Sequence, residues 1–181
     1  MMQSPVHQRH QSLHTAAAAG HVADVRALLV SEPLLNQRDE HGRTPIMRAV
    51  DAGHLDVLKE LIEAGADIYR CDVHGSSPLH HATSRGLVEI AWCLLAAGAQ
   101  VNACEPIRGM TPLHCAVISG HTNLVHLLLR AGALPHLTDC EGLTALDLAR
   151  TYVEPEIESL LRAASVSSCS HKVDSGSDQS E

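Results

Sequence analysis

Thr44-Pro45-Ile46-Met47-Arg48-Ala49 is the stretch on which the reading of the fold turns. Its hydroxyl–proline pair marks a helix start, with Thr44 as N-cap and Pro45 at the first helical position, where the missing N–H costs nothing. The motif returns as Ser77-Pro78-Leu79-His80-His81-Ala82, then as Thr111-Pro112-Leu113-His114-Cys115-Ala116, then as Thr144-Ala145-Leu146-Asp147-Leu148-Ala149. The starts lie 33, 34 and 33 residues apart. A weaker copy, Ser12-Leu13-His14-Thr15-Ala16, sits one period upstream. Recurrence at a fixed period is the mark of a repeat architecture.

Other landmarks hold the same phase. Gly20-His21, Gly53-His54, Gly86-Leu87 and Gly120-His121 follow the motif, then Leu28-Leu29, Leu61-Ile62, Leu94-Leu95 and Leu128-Leu129. Each unit closes on an acidic residue and a glycine: Asp39 with Gly42, Asp72 with Gly75, Glu105 with Gly109, Asp139 with Gly142. The one extra residue falls in Glu105-Pro106-Ile107-Arg108-Gly109, inside a turn. Within a unit the pattern predicts a first helix from Pro45 to Ala52, ended by left-handed Gly53, and a second from Leu55 to Glu63. Leu58, Leu61 and Ile62 then share one face at i, i+3 and i+4. Such a unit cannot bury its apolar stripe alone, so neighbours must stack, with Leu58, Leu61, Leu94, Leu95, Leu113, Leu127 and Leu128 in the core.

The pattern resembles the ankyrin repeat family, whose unit is about 33 residues long with a T-P-L-H-x-A motif. The resemblance implies an all-α solenoid of stacked helix–turn–helix units joined by short hairpin-like turns. The expected domain covers residues 11–164, as repeats 11–42, 43–75, 76–109, 110–142 and 143–164. The outer units look like caps: the first has Glu32-Pro33 in place of Gly-Ala, and the last has Val153 at the glycine position, Asp147 at the His position and an acidic final helix starting near Pro155. Residues 1–10 are expected to be flexible, and the Ser-rich acidic segment 165–181 a disordered tail.

Composition agrees. Of 181 residues 45% are apolar, with no Phe, one Trp and two Tyr, so the core must come from Leu and Ala. A net charge of −8 and the shortage of stacking rings weigh against nucleic acid and anionic membranes. His14, His21, Asp24 and Arg26 break up the apolar run Leu13–Val30, which rules out a membrane span there. The six Cys form no CxxC pair and are expected to be reduced, in cytoplasm or nucleus.

Fourteen His and six Cys invite a metal reading. The His residues, however, fall on repeat columns: His14, His80 and His114 in the motif, His21, His54 and His121 after the glycine. Equivalent positions on stacked helices lie ~8–10 Å apart, against about 2 Å from ligand to zinc. His80 and His81 are adjacent on a helix and point apart. Cys115 beside His114 resembles a nucleophile–base pair, but as a helix-interior thiol it reads as core. With no phosphate loop, H-E-x-x-H or G-x-S-x-G, the expectation is no catalytic residue, no metal, no cofactor and no enzyme.

Function then falls to the variable positions, which in ankyrin repeats line a concave surface of turn tips and first helices. Carried over, these are Glu40, His41, Arg43 and Asp51, then Val73, His74, Ser76 and Arg85, then Ile107, Arg108, Met110 and Ile118. Ile107, Met110 and Ile118 would form an exposed apolar centre, while Arg85 and Arg108 would favour an acidic or mixed-charge partner. The expected role is a scaffold or adaptor, monomeric on its own, that binds a partner protein through this face. The alternatives are a small regulatory inhibitor of a kinase or other enzyme, or a substrate adaptor of a ubiquitin ligase. Some ankyrin repeats are hydroxylated on an Asn after the second helix with Leu eight positions upstream. Asn102 with Leu94 fits that spacing, as does Asn36 with Leu28, though Gln100 and Leu34 stand where an acidic residue is preferred.

Overall fold

The computed structural model describes residues 13–31, 34–152 and 154–170. Among them ten helices follow in chain order: α1 (residues 13–19), α2 (Val22–Ser31), α3 (Pro45–Ala52), α4 (Leu55–Glu63), α5 (Pro78–Ser84), α6 (Val88–Ala96), α7 (Pro112–Ile118), α8 (Thr122–Arg130), α9 (Ala145–Thr151) and α10 (Pro155–Ser170). The first and second helices of each unit pack as a pair, and the pairs stack in order. One layer is α3, α5, α7 and α9, the other α2, α4, α6, α8 and α10. This is the all-α solenoid expected from the repeats.

The start signals act locally as their chemistry requires. Thr44, Ser77, Thr111 and Thr144 all have extended backbone and begin a helix, the first three with Pro next. In the third unit Nδ1 of His80 accepts from Ser77 N–H at 3.2 Å and lies 2.8 Å from the Ser77 hydroxyl. Thr111 and His114 repeat that pair. Asp147 does the work of His in the last unit, accepting from the Thr144 hydroxyl at 2.6 Å. The second unit has Met47 there, and the buried Thr44 Oγ1 is left without a partner among the described residues.

Repeats register on one another through backbone space. Gly86 has φ 77°, and a side chain there would meet the His121 ring 2.8 Å away. At Gly109, φ 69°, a Cβ would lie 2.7 Å from Cys140 N, which donates to Arg108 O at 2.9 Å and ties one turn to the next. Buried side chains from every unit form one continuous core, including Val25, Leu58, Leu94, Leu128 and Leu161.

Leu58, Leu61, Leu94, Leu113 and Leu128 are buried as expected, but Leu95 and Leu127 are only half-buried against the core. The reason is helical phase. In α8 the buried positions are Leu124, Val125 and Leu128, and Leu127 stands to one side of them. The last helix runs past residue 164 to Ser170. Residues 1–10, Glu32-Pro33, Val153 and 171–181 lie outside the described residues.

Candidate interaction groove

Each turn is built on its acidic residue. Asp72 Oδ1 accepts from His74 N–H at 2.9 Å and Ser76 N–H at 3.0 Å, while Asp72 N–H closes on Ser76 O. Asp39 and Asp139 form the same turns. In the lengthened turn Glu105 replaces Asp, and its Oε1 accepts one backbone N–H, that of Arg108, at 3.2 Å.

Behind the turns the inner helices carry a charged network. Asp51 receives Arg43 Nη1 at 2.6 Å, His81 Nδ1 at 3.0 Å and Arg85 Nε at 3.2 Å. His81 reaches onward with Nε2 to Asp72 Oδ2 at 3.1 Å. Carboxylates only accept, so an imidazole bonded to both uses two N–H donors. Burial pushes the Asp51 pKa up, but His81, Arg43 and Arg85 together hold it below the usual carboxylate range. Asp72 is likewise held low by its two turn N–H groups and His81, against its burial.

Between the turns and helices α5 and α7 lies a groove of about 440 Å³. Arg43, His74, Ser76, Ile107, Arg108, Met110 and Ile118 line it, so seven of the twelve expected residues converge there. Asp51 and Arg85 belong to the network beside it. Glu40, His41 and Val73 are exposed at the first two tips and do not line it.

Two expectations need correction. Met110 is buried, 7% exposed, because its carbonyl is held by Glu105 N–H and by His80 Nε2, placing it at the base of the hairpin. Ile118 is half-buried against the core. Of the expected apolar centre, only Ile107 is well exposed, at 59%. Arg85 is already engaged by Asp51 rather than waiting for an acidic partner.

Glu105, His81 and Cys115, none of them among the expected site residues, also line the groove. The column Arg48–His81–Cys115, four residues after each motif start, is the signal that could have found His81 and Cys115, and the turn series Asp39–Asp72–Glu105 the one for Glu105. Burial pushes the Cys115 thiol up to about 12, with Glu105 adding to the shift, so it is no nucleophile at neutral pH. No group of three or more His, Cys, Asp or Glu among the described residues is placed to hold a metal ion.

Asn102 bridges units: its Oδ1 accepts from Leu134 N–H at 2.9 Å and its Nδ2 donates to Gly132 O at 3.2 Å. Asn36 makes the first of these contacts, accepting from Asp67 N–H at 2.8 Å.

The family model for ankyrin repeats, in three copies, matches residues 13–105 and 79–167. The chain belongs to the ankyrin repeat family. No curated protein matches the chain. Ankyrin repeats generally serve as protein–protein interaction modules and are usually non-catalytic. In this ankyrin chain the groove lies where turns and inner helices meet, and no helix among the described residues is long and apolar enough to cross a membrane.

Proposed function

We propose that the chain is a non-enzymatic scaffold or adaptor that holds a partner protein in the groove formed by the second to fourth repeats. The supporting observation is Ile107, more than half exposed at the groove mouth, beside the polar side chains Arg108, His74 and Ser76. An apolar anchor with a polar rim is the make-up of an interface hot spot, and burying it yields about 25 cal/mol per Å². The network of Asp51, His81 and Asp72 supports this reading by fixing the inner helices, so that a partner meets a preformed surface. The same reading places the protein in cytoplasm or nucleus, monomeric until it meets its partner.

The test is affinity capture from cell lysate by the full chain, compared with Ile107→Asp and with His126→Asp on the outer helix α8. Capture lost with Ile107→Asp and kept with His126→Asp supports the groove. Equal loss from both, or from neither, contradicts it.

A further inference from the structure

In the second and third units the turn carboxylate is met by a basic side chain from the inner helix behind it. Arg48 Nε lies 2.8 Å from Asp39 Oδ2, and His81 Nε2 lies 3.1 Å from Asp72 Oδ2. The next unit breaks the pattern. Its helix offers Cys115 at that position, a thiol with no charge to give.

Glu105 is therefore a carboxylate without a counter-ion. It is 5% exposed and lines the groove, and its Oε1 takes a single backbone N–H. Its Oε2 has no hydrogen bond or ion pair among the described residues and is not among the sealed, unpartnered buried atoms, so it opens onto the groove. Of the other charges here, Arg43 and Arg85 pair with Asp51 and Asp72 pairs with His81, which leaves Arg108. Arg108 has an exposed side chain on the tip that makes no ion pair among the described residues. A carboxylate largely withdrawn from water and met by one backbone N–H is costly, and a cation brought to it there gains more than it would in solvent.

We propose that Glu105 receives a basic side chain of the partner, a lysine or arginine set beside a branched apolar residue that contacts Ile107 and Ile118. The proposal rests on the groove reading and names the chemistry that would fill it. Overall charge points the same way, since the chain carries −8 and attracts cationic segments. The visiting cation would do for Glu105 what Arg48 and His81 do for the neighbouring turns.

The experiment is selection of random peptides displayed on phage against the immobilised full chain, with binding of the selected peptides then measured to four forms. These are the wild type, Glu105→Gln, Cys115→His and Ile107→Asp. Glu105→Gln keeps the acceptor for Arg108 N–H and removes the charge. Cys115→His rebuilds the His81–Asp72 arrangement within the chain and occupies the carboxylate from inside. A melting temperature no lower than wild type for Cys115→His shows that the fold is intact.

The expected peptides carry Lys or Arg next to Ile, Leu or Val. They should bind at least about tenfold more weakly to both charge-site variants. Peptides that lack a basic residue and are lost only with Ile107→Asp overturn the assignment of Glu105 while leaving the groove as the binding face. Peptides indifferent to all three substitutions, or no enrichment over bare support, overturn both.

Discussion

His80 Nε2 lies 3.1 Å from the carbonyl oxygen of Met110, joining the motif of one repeat to the turn of the next. Because Nδ1 of the same ring accepts Ser77 N–H, Nε2 carries the proton and donates. His14 makes the equivalent bridge to Arg43 O at 3.0 Å and Gln37 O at 3.1 Å. His114 points toward Leu137 and Leu143 without a formed bond at Nε2. His14 and His80 thus fasten one repeat to the next, and His114 is buried at the same position of its unit.

Burial pushes the pKa of His80 and of His114 below the ordinary 6.5, more than the nearby carbonyls raise it. Both bind fewer protons folded than unfolded, so protonation favours the unfolded chain. Stability is expected to hold above pH 6.5 and to fall as the pH drops below it toward the lower folded values. The carboxylates Asp39, Asp51 and Asp72, held below 3.8, keep their contribution until more acid pH and lose it only below that value. Urea titrations of wild type and His114→Gln should show a flatter slope for the variant between about pH 7 and pH 5. An unchanged slope contradicts the assignment.

Met47 occupies the His position of the second repeat and leaves Thr44 Oγ1 unpartnered. Met47→His should supply the missing cap contact and a bridge to the following turn. A gain of about 1 kcal/mol in chemical denaturation is expected. A loss of similar size would show that the site cannot orient the ring.

Two adjacent leucines near the end of α8 separate phase from hydrophobicity. Leu128 is fully buried and Leu127 half-buried. Leu128→Ala should cost about 2–5 kcal/mol, the range for a core cavity. Leu127→Ala should cost less than half as much, since part of its surface is already in water. Equal costs would mean that the helix is rotated from the orientation described.

The local fold was legible because its signals are short-range. Thr44 with Pro45 fixed one end of α3, Gly53 the other, and α4 began and ended where its apolar spacing predicted. The groove was legible in part. Turn position alone placed Ile107 and Arg108, but exposure depends on contacts about thirty positions away, such as the one that buries Met110 under His80. The pairing of Asp51 with His81, and the lack of a pair for Glu105, arise from stacking one repeat on the next. A single repeat read by itself carries no trace of them.

The side on which a partner binds decides whether the groove is the functional face. Hydrogen–deuterium exchange should be followed with and without a saturating captured partner. Protection is expected in the turns 72–76 and 105–110 and in α5 and α7, with little change in α4, α6 and α8. Protection confined to α4, α6 and α8, with the turns left open to exchange, would contradict it.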